Sequence, residues 1–507
     1  MKVNQLKAGV ILSYVSELVM VLSGLIYTPI MLRLLGQSEY GLYQLSASII
    51  SYLGLLSMGF GASYVRYYYR RKSDGPDSVA KLNGMYMTIF IVIGIICALA
   101  GTVLVANIEI LFGNSLTDRE LETSRVLMIL MVFNLSISFP GSVFNSFMTA
   151  KEQYIFQRIV NILRQILNPF LTLPLLLIGY KSISLVVVQT ILSILSIAVN
   201  MYFCRHKLKM RFCFKSFEWG FLRELFAFSF FIFLNSIIDK INWQVDKVIL
   251  GAYGGTIVVA VYAVASHLND MYISFSTAVS NVFVPRVNRL VAENRDDRHL
   301  TDLFTRVGRI QFIILALVVS GIIIFGEYFI GVWAGEGYEE AYYIALILII
   351  PVTLPLIQNL GIEIQRAKNM HQFRSVIYMI IALLNIAATI PLAKNFGGVG
   401  AAMGTAGSLL IGNGLIMNIY YHKKIGLDMF YFWKQILSFV PALVAPLLIG
   451  FLIMRFIVID NVFIFIGLIL AYIAIYSLSM FFLGMNENEK NLIRKPLNKI
   501  FGRLKHD

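Results

Sequence analysis

From Asn235 to His267 the chain reads NSIIDKINWQVDKVILGAYGGTIVVAVYAVASH, and its first half lies inside a long apolar run. Asn235, Asp239, Asn242 and Asp246 recur at i, i+4, i+7 and i+11, which is one face of a helix. Ser236, Lys240 and Lys247 flank that face, while Ile237, Ile238, Ile241, Val245, Val248 and Ile249 cover the other side. In a bilayer-spanning helix, Asp239 and Lys240 fall near the midplane. A charge there costs several kcal/mol, roughly 3 on insertion scales, unless it meets a bundle interior, a partner or water. No acidic residue stands three or four positions from either lysine, so pairing within the helix does not offset that cost. The stretch therefore reads as one wall of a polar cavity in a membrane protein. The plainer alternative is a set of ion pairs that hold helices together.

Composition points the same way. The 507 residues are 58% hydrophobic and 14% charged, with a mean hydropathy of +0.75. Soluble domains carry about 25% charged residues. Many separate apolar runs of about 20 residues mean a polytopic, all-α membrane protein. The net charge of +14 suggests nucleic acid only until its distribution is read, because the basic residues gather in short loops between spans. Cys97, Cys204 and Cys213 give no disulfide framework, and Cys204, His206 and Cys213 make a poor zinc pattern. No metal or cofactor is expected. MKVNQLK followed directly by an apolar run reads as a retained first span, not a cleaved signal.

Hydropathy predicts about 14 transmembrane helices. Span two is expected over 40–65, span five over 157–178, span seven over 224–250 and span eight over 256–284. Spans eleven and twelve are expected over 375–394 and 398–421. With the N-terminus placed inside, the inner segments hold 33 Lys and Arg and the outer segments only 5. That asymmetry predicts cytoplasmic N- and C-termini. Tyr64, Tyr67, Tyr68 and Tyr69 beside Arg66, Arg70, Arg71 and Lys72 read as an interfacial aromatic belt.

The chain repeats itself. Ala150-Lys151 matches Ala367-Lys368, Phe156 matches Phe373, Leu167-Asn168 matches Leu384-Asn385, and Pro174-Leu175 matches Pro391-Leu392, all at an offset of 217. Asn200-Met201-Tyr202-Phe203 answers Asn418-Ile419-Tyr420-Tyr421 with one residue of slip. Near the start of each half, Leu35-Gly36 to Tyr43 parallels Leu250-Gly251 to Tyr262. Six spans per half put both halves into the membrane from the same side, so the repeat is parallel, about a pseudo-twofold along the membrane normal. The expected organisation is an N-lobe over 1–210, a C-lobe over 211–424, two extra helices over 425–484 and a basic cytoplasmic tail over 485–507. Within the tail, Ile493, Leu497, Ile500, Phe501 and Leu504 share a face suited to the inner leaflet. Pro29, Pro140, Pro169, Pro174, Pro351, Pro355, Pro391, Pro441 and Pro446 fall inside spans and predict bends.

Four polar stripes stand out at helical spacing. Span seven carries the first. Span eight aligns His267, Asp270, Ser274, Thr277 and Asn281. Span five aligns Asn161, Arg164, Gln165 and Asn168, and span one aligns Ser13, Ser16 and Glu17 ahead of Ser23 and Thr28. Arg164, Asn168, Asp239, Lys240, Asn242, Asp246 and Lys247 are the candidate substrate-cavity residues. Interior Arg and Lys suit an anionic group such as a pyrophosphate. Glu17, Asp239, His267 and Asp270 are the candidates to carry a coupling proton or sodium ion. Each stripe alone also fits inter-helix hydrogen bonding.

Two stretches carry a family resemblance. TPIMLRLLGQSEYGLYQLSAS, Thr28 to Ser48, resembles the N-terminal signature of polysaccharide-biosynthesis flippases. VDKVILGAYGGTIVVAVYAVA, Val245 to Ala265, resembles the matching second signature, an acidic-basic pair, Leu-Gly, then Tyr among small residues. The chain is thus similar to the Wzx-like oligosaccharide flippases of the MOP superfamily, which also holds MATE drug exporters and lipid II flippases. The resemblance implies two six-helix lobes with two added helices, and alternating access. It implies as substrate an undecaprenyl-pyrophosphate-linked oligosaccharide carried across a bacterial plasma membrane. Polysaccharide polymerase and glycosyltransferases are the implied partners. By position Asp246-Lys247 matches the family's acidic-basic pair. A lipid II or teichoic-acid precursor flippase and a MATE-like cation/drug antiporter are the alternatives. An integral-membrane enzyme is disfavoured, because no outer loop carries a catalytic cluster.

Overall fold

The computed structural model describes residues 5–215, 218–293, 296–370, 372–457, 459, 461–492 and 494. Among these there is no strand. The first half holds α1 (Gln5–Leu35), α2 (Gln37–Leu53), α3 (Phe60–Lys72), α4 (Pro76–Ala106), α5 (Ile108–Phe112), α6 (Asp118–Ala150), α7 (Tyr154–Leu177) and α8 (Lys181–His206). Then come α9 (Trp219–Ala292), α10 (Asp297–Ala334), α11 (Glu340–Ile357), α12 (Asn359–Ala367), α13 (Gln372–Leu409) and α14 (Asn418–Tyr420). The chain ends with α15 (Met429–Leu437), α16 (Val440–Phe456) and α17 (Val462–Ser479).

Among the described residues, twelve helical stretches are long and apolar enough to cross a bilayer. Two of them, 219–292 and 372–425, pass through a glycine in a non-helical conformation, Gly255 (φ 74) and Gly397 (φ 56). A bilayer needs only about 20 residues per pass. Each broken stretch has length for two, and the breaks fall between the expected spans seven and eight, and eleven and twelve. Outward faces are apolar: Ile91, Val92, Ile95, Ile96, Leu99 and Val103 of α4 are all exposed. Such a stripe is a liability in water and is solvated by lipid. This is a multi-pass membrane protein.

The chain packs as two compact units. The first is Met1–Val264 with Asn385–Ala401, and the second is Ala265–Leu384 with Ala402–Asp507. Packing thus divides the chain at other points than the expected lobe boundaries of the repeat, near 210 and 424. Most of the basic tail lies outside the described residues, including Ile493, Leu497, Ile500, Phe501 and Leu504.

The repeat reappears as local geometry. At the end of α6, Lys151 N donates to Phe147 O, Glu152 takes φ 57, and Gln153 N donates to Met148 O at 2.9 Å. At the end of α12, Lys368 N donates to Ile364 O, Asn369 takes φ 55, and Met370 N donates to Gln365 O at 2.8 Å. Phe156 stacks on Phe203 at 3.8 Å, and Phe373 stacks on Tyr420 at 4.1 Å. All these pairs keep the offset of 217. The one-residue slip is therefore absent at the stacked position, where Tyr420 and not Tyr421 answers Phe203. The signature turns correct the sequence in the other direction. Gly36 (φ 75, ψ 170) has its conformational twin in Gly255 (φ 74, ψ −172), not in Gly251. A span-to-span turn at that φ favours a residue without Cβ.

Two further expectations change. Span two is interrupted after Leu53 by a 3-10 turn over Gly54–Ser57, then Met58 (φ 47) and Gly59 (φ 71). A side chain on Gly59 would run into Ile232. The tyrosine belt is mostly core. Tyr64, Tyr67 and Tyr68 are buried at 0%, 2% and 1% exposure, and only Tyr69 is open. The buried Tyr64 phenol donates to Asn83 Oδ1, and beside it Tyr86 pairs with Ser63. Pro29, Pro140, Pro169, Pro174 and Pro391 lie inside continuous helices, and the non-helical backbone within 219–292 and 372–425 falls at Gly255 and Gly397.

In the second unit the added helices are fastened by Arg309 of α10. Its guanidinium is 5% exposed and grips Glu489 in a bidentate pair at 2.6 and 2.9 Å. It also donates to Gln435 O, Ser438 Oγ and Gly484 O, and lies 4.2 Å from the Phe439 ring. Around it Phe325, Phe439, Phe465, Tyr472 and Tyr476 form a shared core. Breaking a buried pair from one side costs about 3–5 kcal/mol. Arg309→Ala is expected to lower the thermal midpoint of the detergent-purified protein clearly, whereas Arg70→Ala, which removes an exposed pair with Glu224, leaves it within error.

Candidate functional site

The predicted polar residues of spans one, five and seven lie in the first unit. Helices α1 and α7 pack side by side, and Ser16 Oγ donates to Gln165 Oε1 at 3.3 Å across the seam. Other hydroxyls of these helices are satisfied within their own helix: Ser13 Oγ donates to Gly9 O, and Thr172 Oγ1 to Asn168 O. Arg164 and Asn168 are half-buried and Glu17 is exposed. No ion pair joins Arg164 to Glu17. Among the described residues the Arg164 guanidinium has neither a hydrogen bond nor an ion pair.

The span-seven stripe divides into two parts. Asp239 is exposed, and Lys240 and Asn242 are half-buried. One turn on, Asp246 and Lys247 are 3% and 8% exposed. The Tyr262 hydroxyl donates to Asp246 Oδ2, reaching back across the Gly255 break. Ser48 Oγ donates to Gln244 Oε1 at 3.3 Å and ties α2 to the same turn. Asp246 and Lys247 thus sit in a packed seam between the two signature stretches, while Asp239, Lys240 and Asn242 keep access.

Sequence reading missed a polar cleft of about 710 Å³ at the ends of the spans opposite the basic loops. Glu120 is its hub. Ser38 Oγ donates to Glu120 Oε1 at 2.6 Å and Thr256 Oγ1 at 2.7 Å, which pins the turn after Gly255 to α2 and α6. Glu120 also closes a capping box with Thr117 at the start of α6. Beside it Glu39 accepts from Ser182 at 2.6 Å and Lys181 at 3.3 Å. The capping motif Thr-x-x-Glu ahead of an apolar run was a readable signal for Glu120. The long-range partners were not.

His267 and Asp270 lie in the second unit. The His267 ring stacks parallel to Trp333 at 6.1 Å, and Asp270 is exposed. Nearby polar groups serve packing: Gln311 Nε2 donates to Ser276 and Ser280 oxygens, and Tyr272 pairs with Thr353 at 2.7 Å. Removing one partner of a buried hydrogen bond costs about 1–3 kcal/mol. Tyr262→Phe is therefore expected to lower the unfolding midpoint in thermal melts of the purified protein.

Comparison with known proteins fits this geometry. A family profile described as polysaccharide biosynthesis protein matches residues 6–291. A Shigella flexneri protein provisionally assigned as an O-antigen transporter is 20% identical over 382 residues, which is 73% of this chain and 87% of that one. A Haloferax volcanii protein provisionally assigned as a low-salt glycan biosynthesis flippase is 24% identical over 192 residues, 37% of this chain and 40% of its own. Among solved structures, lipid II flippase MurJ in an inward closed conformation gives a TM-score of 0.73 at 16% identity, covering 96% of this chain and 98% of that one. An inward-facing multidrug resistance MATE transporter of the MOP superfamily gives 0.65 at 12% identity, covering 82% and 99%. At such identities the likeness is one of fold. With more than half of its length matched by the family profile and both signature stretches packed together around Gly36 and Gly255, the chain belongs to the polysaccharide biosynthesis protein family, on the fold of the MOP transporters.

Proposed function

We propose that this protein is a flippase that carries an undecaprenyl-pyrophosphate-linked oligosaccharide, an O-antigen, capsule or exopolysaccharide repeat unit, across a bacterial plasma membrane by alternating access. The observation that carries the reading is Arg164: a half-buried cation on an apolar helix that meets no protein anion among the described residues. A pyrophosphate offers such a guanidinium bidentate, charge-assisted bonds, and Lys240 adds a point charge. Glu17, Asp239, His267 and Asp270 are the groups assigned to a coupling proton or sodium ion. N- and C-termini face the cytoplasm in this reading, and polymerase and glycosyltransferases work on either side of the step. Family membership and the relatives' assignments support it.

The test is made in cells. Depletion is expected to accumulate one complete lipid-linked repeat unit and to remove its surface polymer. A build-up of lipid II or of a teichoic-acid precursor instead would reassign the cargo. Unchanged lipid-linked pools with new sensitivity to cationic drugs would favour a MATE-like antiporter, a reading that the exposed carboxylates Glu17 and Asp239 keep in play. A charged hydrogen bond contributes about 1.5–3 kcal/mol. Arg164→Ala is expected to slow transport roughly 10- to 100-fold at matched membrane levels, with Arg164→Lys intermediate. Full activity of Arg164→Ala would remove this residue from the cavity assignment.

A further inference from the structure

A second cleft, of about 390 Å³, opens in the first unit at the end of the spans where the basic loops gather. It lies under the first turn of α4. Lys72, Lys151, Lys209 and Arg211 line it, and no acidic side chain does. None of the four has an ion-pair partner among the described residues, whereas the neighbouring Arg70 and Arg71 are paired with Glu224 and Glu218. The cleft is preformed. Asn83 Nδ2 donates to Arg211 O at 2.8 Å and Cys213 N to Ala80 O at 2.9 Å, which hold the segment bearing Lys209 and Arg211 against α4. Tyr68 and Phe147 form an apolar wall, with Lys151 Nζ 5.8 Å from each ring.

The repeat supplies the control. In the second unit the counterpart of Lys151 is Lys368, which donates to Asp297 at 2.5 Å and to Ile425 O at 2.8 Å. Asp297 is the first residue of α10, as Pro76 is the first residue of α4. The counterpart of Lys209 (φ 52) is Gly426 (φ 83), and a side chain at 426 would strike the Asp297 carboxylate. One copy of the repeat thus neutralises its lysine with a built-in carboxylate, with glycine making the room. The other copy replaces the acid by proline and the glycine by a second lysine.

We propose that the first-unit cleft binds a phosphate group in the place that the Asp297 carboxylate takes in the second unit. The phosphate belongs to an anionic lipid headgroup or to a soluble phosphate, and both share the recognition chemistry of clustered cations beside an apolar wall. The inference does not rest on what the protein transports.

The experiment uses the full-length protein extracted from vesicles of phosphatidylglycerol and phosphatidylcholine, with retained lipid counted by native mass spectrometry. Thermal melts with sodium pyrophosphate run in parallel. Wild type is expected to retain phosphatidylglycerol over phosphatidylcholine. Pro76→Asp, which restores the built-in acid at a helix start where Asp is favourable, is expected to cut that retention at least tenfold, and Lys209→Gly severalfold. A pyrophosphate-induced rise in midpoint that Pro76→Asp abolishes, without lipid selectivity, would keep the phosphate site and name a soluble source. Equal retention and equal melting shifts in wild type and both variants would overturn the site. Should Pro76→Asp fold poorly, Lys209→Gly and Lys151→Ala decide alone.

Discussion

The structure depends on one constraint: in hydrocarbon, a backbone N–H or C=O has no water to turn to. Every pass must therefore close its own hydrogen bonds as a helix, and irregular backbone is confined to a few positions. Glycine marks most of them. Gly36 and Gly255 share one conformation at the turn between consecutive passes, Gly397 makes the third such break, and Gly59 ends the 3-10 interruption of span two. Prolines lie inside helices without ending them. The second signature packs back on the first, and a side chain at Gly41 has no room beside the Thr256 backbone.

The same solvent sorts the polar side chains. Hydroxyls such as Ser13, Thr172 and Thr277 bond to their own helix and need nothing else. Carboxylates recruit hydroxyls from other segments: buried Asp246 takes Tyr262, and half-buried Glu120 takes Ser38 and Thr256. Against that background the cations that collect no protein anion stand apart. Arg164 in the apolar span and the group around Lys151 and Lys209 at the loop end are among the described cations that do so.

What the sequence made legible was local. Span existence follows from runs of about 20 residues, and the repeat from identities at one offset that survive as matching helix ends after Ala150 and Ala367. Tyr64, Tyr67 and Tyr68 misled because an aromatic next to arginine reads as a belt, whereas burial was decided by Asn83 and the rings around Tyr86. The register of the second signature misled because Leu-Gly occurs at Gly251, while the backbone needs its special φ four residues later. Glu120, Ser38 and Thr256 are spread over more than two hundred residues, and no period or motif links them. Of the cavity candidates, the stripe on span seven was visible, but not its division into a packed and an accessible part.

The clamp on Arg309 also bears on the order of synthesis. Glu489 follows its partner by 180 residues, and the last contacts of the guanidinium come from Gln435, Ser438 and Gly484. While α10 enters the membrane, none of these groups yet exists. The arginine's pairing must wait until Glu489 has been made. The clamp of the second unit therefore cannot close before 385–401, the last segment of the first unit, has been made.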